Sequence, residues 1–176
     1  GTLDAVNSTV DPLVFTSTFT PTSSIEDADN IVTVGTGWTD AASNAPSSSA
    51  TSANYTVDTI RPTISISMAD TALKVGDTAL VTFTFSESVT GFANADVTTI
   101  ENGTLDTISG SGTTYTATFT PTTPIEDASN VITVDKTGVA DTAGNAGSGT
   151  TSTSNYTIDT TRPTVAITLS DSALKV

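Results

Sequence analysis

Asn54-Tyr55-Thr56-Val57-Asp58-Thr59-Ile60-Arg61-Pro62-Thr63 recurs as Asn155-Tyr156-Thr157-Ile158-Asp159-Thr160-Thr161-Arg162-Pro163-Thr164. From Tyr55 to Tyr156 is 101 residues, too long a period for a solenoid repeat of about 20 to 50 residues but the size of an autonomous β-sandwich. The stretch also carries its own punctuation. An apolar/Thr alternation at Tyr55 and Val57 marks a strand, and Arg61-Pro62 marks an extended connection, because Pro fixes its own φ and restricts the residue before it.

The match extends in both directions. Upstream, Phe19-Thr20-Pro21, Ile25-Glu26-Asp27-Ala28 and Asn30 match Phe119-Thr120-Pro121, Ile125-Glu126-Asp127-Ala128 and Asn130. Downstream, Met68-Ala69-Asp70 and Ala72-Leu73-Lys74-Val75 match Leu169-Ser170-Asp171 and Ala173-Leu174-Lys175-Val176. The chain therefore reads as a window on a tandem array: residues 1–58 the later part of one repeat, 59–159 a complete repeat, and 160–176 the first strand of the next. Gly1 aligns with Gly103, so the first repeat has no counterpart of the opening strands of the second.

Within the complete repeat, apolar residues alternate with Thr and Ser at Ile64, Ile66 and Met68, at Val81, Phe83 and Phe85, and at Tyr115, Ala117 and Phe119. The alternation continues at Ile132 and Val134 and at Tyr156 and Ile158. A period of two over short runs, broken at Gly76-Asp77, Asn102-Gly103, Gly110-Ser111-Gly112 and Ala143-Gly144-Asn145, predicts half-buried antiparallel strands. About seven are expected, near 63–69, 78–86, 95–101, 104–109, 113–120, 130–135 and 152–158, in an all-β sandwich. Abundant Ser and Thr beside few Leu, Lys and Arg agree with strands over helices.

Composition removes whole classes of chemistry. Without Cys or His there is no disulfide, thiol site, zinc site or histidine-based triad. Five Lys plus Arg against 19 Asp plus Glu, a net charge of −14, cannot form the basic stripe that nucleic acid requires. No apolar run is long enough to span a membrane. Glu87 and Asp141 could be read as a glycosidase acid pair, but the loops lack aromatic sugar platforms, so no enzyme activity and no small-molecule substrate are expected. Trp38 stands where Val139 stands in the next repeat and is expected to pack.

Strands running up and down sort their loops between two ends of a sandwich. The loops around Glu87 and around Asp141 then fall at the end where Thr59–Pro62 arrives, and the loops at 70–77, at Asn102-Gly103 and at 121–130 fall at the opposite end, beside Asp159. Carboxylates collect where one repeat meets the next: Glu26 and Asp27 from the first repeat, Asp58 on the linker, and Glu87 and Asp141 from the second. Glu126, Asp127 and Asp159 repeat the first half of that set at the following joint. Ca²⁺ takes six to eight oxygens from carboxylates, carbonyls and water, so this inventory suits calcium, and an occupied site should couple and stiffen the joint. The plainer reading is that Asp141 and Asn145 make Asx turns and the other acids are solvated surface.

The strings Thr82-Phe83-Thr84-Phe85-Ser86-Glu87-Ser88-Val89-Thr90-Gly91-Phe92, Tyr115-Thr116-Ala117-Thr118-Phe119-Thr120-Pro121, Ala140-Asp141-Thr142-Ala143-Gly144-Asn145 and Ile158-Asp159-Thr160-Thr161-Arg162-Pro163-Thr164 resemble the bacterial immunoglobulin-like repeats of giant secreted, RTX-type biofilm adhesins. The resemblance covers essentially the whole chain. It implies tandem immunoglobulin-like sandwiches in a non-enzymatic extender that projects a ligand-binding tip from the bacterial cell surface, stiffened by calcium at the linkers. Carried over by position, linker ligands fall on Asp58 and Asp159, with Asp141 and the neighbouring loop acids as partners. The expected partners are then neighbouring repeats of the same polypeptide. The alternatives are a self-assembling surface fibre, to which residues 163–176 could donate an edge strand to a like chain, and a carbohydrate- or host-binding module. The first repeat has Ala42-Ser43-Asn44 where the second has Ala143-Gly144-Asn145, so a need for positive φ at Gly144 would distort the first loop.

Overall fold

A computed structural model of the chain describes residues 1–173 and residue 175; Leu174 and Val176, the end of the expected third-repeat strand, lie outside the described residues. The complete repeat is a two-layered β-sandwich. One layer is built on two long antiparallel strands, Ala79–Thr90 and Ser109–Pro121, flanked by Gly103–Leu105 on one side and by Ile64–Met68 and Ala140–Asp141 on the other. The facing layer holds two three-stranded sets. Ala72–Lys74, Tyr156–Asp159 and Glu126–Asn130 form one, and Val97–Ile100, Ile132–Asp135 and Thr150–Ser152 form the other.

The alternation does what its period requires. Val81, Phe83, Phe85, Tyr115, Ala117 and Phe119 point inward and are buried, while Leu80, Thr84, Thr114 and Thr120 face out. Ile132, Val134, Tyr156 and Ile158 close the core from the other layer, and the Phe119 and Tyr156 rings meet edge-on across it with centroids 5.2 Å apart. Each fully buried Phe, Ile or Val contributes roughly 1.5–3 kcal/mol relative to exposure, so this row dominates the stability of the repeat.

A polar knot ties the layers at the end that leads to the next repeat. Asn130, wholly buried, donates its side-chain amide to the carbonyls of Asp127 and Tyr156, both at 3.1 Å, and accepts from the Asn102 side chain at 2.7 Å. The Tyr156 hydroxyl donates to the Glu101 carbonyl at 2.6 Å. Burial, with the nearby Glu101 and Asp127 carboxylates, pushes that hydroxyl up to about 12, so it stays a donor throughout the physiological range.

The expected strands near 63–69, 95–101 and 104–109 appear as Ile64–Met68, Val97–Ile100 and Gly103–Leu105, and the two long strands run further than expected. Two segments read as loops are strands. Ala72–Lys74 pairs in parallel with Tyr156–Asp159, and Glu126–Asn130 pairs antiparallel with the same strand. The expected strand at 152–158 divides into Thr150–Ser152 and Tyr156–Asp159, which belong to different sets.

In residues 1–58 the ladders are short but keep the register of the second repeat: Glu26 lies opposite Asp58 as Glu126 lies opposite Asp159. With no counterpart of Ile64–Met68 or Ala79–Thr90 over them, the core-side positions stay open. Phe15 is 62% exposed where its equivalent Tyr115 is 8% exposed. Trp38, expected to pack, is 55% exposed for the same reason, since its equivalent Val139 is buried beneath the second repeat's long strand. Its indole N–H donates to the Gly35 carbonyl.

The expected opening strand of a third repeat does not form among the described residues 161–173. A strand needs a ladder partner. Ile64–Met68 finds one in Ala79–Thr90, whereas Val165, Ile167 and Leu169 face solvent.

Candidate metal centre at the joint between repeats

Three strands of different origin meet at the joint. Asp58 ends the last strand of the first repeat, Glu87 lies on the inward row of Ala79–Thr90 just past Phe83 and Phe85, and Asp141 sits on the short strand paired beside Val89 and Thr90. Oxygens of these three carboxylates lie within 4.8 Å of one another. Among the described residues the only ion pair is Lys74 with Asp77, so no lysine or arginine is in direct ion-pair contact with the group.

The electrostatics follow from that crowding. Burial pushes the Glu87 carboxyl above its ordinary range, and the charges of Asp141, Asp58 and Glu26 push it further in the same direction. Asp141 is only 3% exposed. Burial works to raise its pKa, but hydrogen bonds from the Asn145 side chain and from the backbone of Asn145, Gly144 and Ala143 outweigh it and hold the carboxyl below the usual range. Asp141 is therefore a fixed negative charge, and Glu87 is the member that resists ionisation.

The oxygens retain capacity for an ion. Asp141 accepts the Asn145 backbone N–H on Oδ1 and the Asn145 side-chain amide on Oδ2, both at 2.8 Å, and Asp58 accepts the Ile60 N–H on Oδ1 at 3.0 Å. A carboxylate offers about four lone-pair positions, so Asp58 keeps most of its own free for a cation, whereas the oxygens of Asp141 are largely engaged by the donors of its own turn. Oxygens on one Ca²⁺ at about 2.3–2.6 Å stand no more than about 5 Å apart. The donor set and its span fit that ion, and Asp58, Glu87 and Asp141 would hold it, with Glu26 in reach of the same field.

The expected site residues thus separate into three groups. Asp58, Glu87 and Asp141 come together, and Glu26 faces them from its ladder position opposite Asp58. Asp27 does not join them, because adjacent strand residues point to opposite faces, and at the far end of the second repeat Asp127 is likewise turned away from the face of Glu126 and Asp159. Asp27 accepts the Asp29 N–H, and Asp127 is engaged by the Ser129 N–H and the Asn102 side chain inside its own repeat. Glu126 and Asp159 reproduce the Glu26–Asp58 pairing at the far end of the second repeat.

The turn at Asp141–Asn145 matches the plainer reading as well: it is a closed Asx-type loop, and Gly144 takes φ +92°. The expected distortion of the first repeat's loop does not occur. Ser43 adopts φ +68°, and Asp40 receives the same pair of Asn44 bonds, at 2.8 and 3.0 Å.

Sequence reasoning passed over Thr59 and Thr160. The Thr160 hydroxyl accepts the Ile125 N–H at 2.8 Å and donates to the Thr122 carbonyl at 2.9 Å, while its own N–H donates to the Ile125 carbonyl at 2.7 Å. Thr59 makes the same bonds to Ile25 and Thr22. These bonds tie Thr59 to the first repeat and Thr160 to the second. Their repetition in register was the available signal.

Comparison with curated proteins and with solved structures finds no match for this chain. The two segments 1–57 and 58–158 each match one family, described as bacterial Ig-like domain, a non-catalytic domain type. With both segments matched and the sandwich in place, the chain belongs to the bacterial Ig-like domain family, which it matches over two successive segments, the first of them a partial repeat.

Proposed function

We propose that the chain is part of a tandem extender of a bacterial surface protein, in which a calcium ion bound by Asp58, Glu87 and Asp141 locks each repeat to the next and makes the array a stiff spacer. The observation that carries this reading is the meeting of Asp58, from the last strand of the first repeat, with Glu87 and Asp141 of the second within 4.8 Å, with no ion pair to any of the three among the described residues. Three such charges repel one another when partly withdrawn from water, so a divalent ion would turn that repulsion into a bridge between the repeats. Extracellular calcium modules bind at about 10⁻⁴–10⁻³ M, a range suited to a protein outside the cell.

Isothermal titration of the full chain with CaCl₂ tests the site. Binding that disappears in Asp58→Ala, while the second repeat keeps its unfolding transition, supports a ligand set shared between modules. Unchanged binding in that variant would place the ion elsewhere.

A further inference from the structure

We infer that the loop 140–146 of the second repeat also grips the linker without any ion, with Arg61 as its principal fastener. The inference rests on the reading of the joint as a stiffened one, but it invokes none of the carboxylate chemistry. The Arg61 guanidinium donates to the Ala146 carbonyl, and the Asn145 side-chain amide donates to the Asp58 carbonyl at 3.2 Å. Both contacts come from one loop. The first holds the linker to the second repeat, and the second joins that repeat to the last strand of the first.

What remains free between the modules is short. Thr59 is fixed to the first repeat by its bonds to Ile25 and Thr22, and Thr63 is fixed to the second by the reciprocal pair with Ser86. Pro62 is buried with a restricted φ, which leaves Ile60 and Arg61 as the hinge. Arg61 closes half of it. Arg61 is exposed and its guanidinium ends on the Ala146 carbonyl, so it contributes to the position of the linker rather than to the core of either module. A planar guanidinium loses little freedom on forming such a bond, which suits a fastener at an exposed joint. The Arg-Pro pair recurs at Arg162-Pro163.

Spin labels at Thr56→Cys and Thr84→Cys, two exposed strand positions in a chain without cysteine, report the distance across the joint by double electron–electron resonance. Four samples decide the matter: wild type and Arg61→Met, each with calcium and with excess EGTA. In EGTA the Arg61→Met ratio of docked to undocked joint should fall about fivefold relative to wild type, the effect of one exposed charge-assisted hydrogen bond. Superimposable distributions for the two proteins in EGTA would overturn the latch. A wild-type distribution identical with and without calcium, together with a broader Arg61→Met, would sink the cation reading and support the latch. Should Arg61→Met lower the melting temperature of the second repeat, Arg61→Lys carries the test. A distribution narrower than that of Arg61→Met supports the latch, and an equal one overturns it.

Discussion

Asn145 occupies both oxygens of Asp141, one through its backbone N–H and one through its side-chain amide, each at 2.8 Å. The pair is the frame on which the joint is built. It shapes the loop that presents Asp141 to Asp58 and Glu87, and the same amide reaches the Asp58 carbonyl. Asp141→Ala would leave the Asn145 backbone and side-chain donors without their acceptor at a part-buried position. A loss of about 1–3 kcal/mol is expected, and it should persist in EGTA because it is structural. Differential scanning calorimetry in chelator checks it, and an unchanged melting temperature would contradict the frame.

Glu87 and Asp141 should make the ion-free protein respond to pH in opposite directions. The Glu87 pKa is raised in the folded protein, so its ionised form is the unfavourable one there. The native state then loses stability as pH rises from the ordinary glutamate range through the raised value. Asp141, with a lowered pKa, contributes stability that is fully present above the ordinary aspartate range and is lost as pH falls through its lowered value. In EGTA the melting temperature should therefore be higher near pH ~5 than near pH ~7, and Glu87→Gln should flatten that slope. A wild-type slope unchanged by Glu87→Gln would show that Glu87 is not the source of the pH dependence.

Thr160 is buried; its hydroxyl accepts the Ile125 N–H, and its single proton lies within reach of the Thr122 and Ile125 carbonyls, at 2.9 and 3.1 Å. Thr160→Val keeps the shape but leaves the Ile125 N–H unpaired, a cost of about 1–3 kcal/mol. Thr59→Val, at a half-buried site, should cost less. Urea unfolding should show a lower midpoint with an unchanged m-value for Thr160→Val.

Ser43 and Gly144 occupy equivalent positions with positive φ. An L-residue with Cβ is disfavoured there by about 1–2 kcal/mol, so Ser43→Gly should stabilise its loop and Gly144→Ala should weaken the second. Hydrogen-exchange protection of the Asn44 and Asn145 amides reads the effect at each loop. Equal protection in parent and variants would remove the argument from backbone strain.

Much of this fold was legible because a two-residue period and a long repeat are strong signals. Phe83, Phe119, Tyr156 and Ile158 were assigned to the core from alternation alone, and each is buried. The strands that escaped are those whose residues do not favour strands. Glu126-Asp127-Ala128-Ser129-Asn130 is polar throughout, and it pairs because Asn130 is drawn into the core by the Tyr156 carbonyl and the Asn102 side chain. Ala72–Lys74 is a three-residue edge in parallel pairing, with too little length to show a period. For the joint, the repeat picked out the right carboxylates as a group, but strand alternation divides Glu26 from Asp27 and Glu126 from Asp127. That division depends on a ladder hidden in the polar segment. Arg61 gave no signal because its partner is a backbone carbonyl 85 residues away, which no side-chain pattern encodes.

The most direct test of the central claim is small-angle scattering of the 176-residue chain in millimolar CaCl₂ and again in excess EGTA, for wild type and for Glu87→Gln. A calcium-locked joint predicts a longer maximum dimension in calcium for wild type, reversed by EGTA and absent in Glu87→Gln. Superimposable wild-type curves with and without calcium would contradict a cation-stiffened joint.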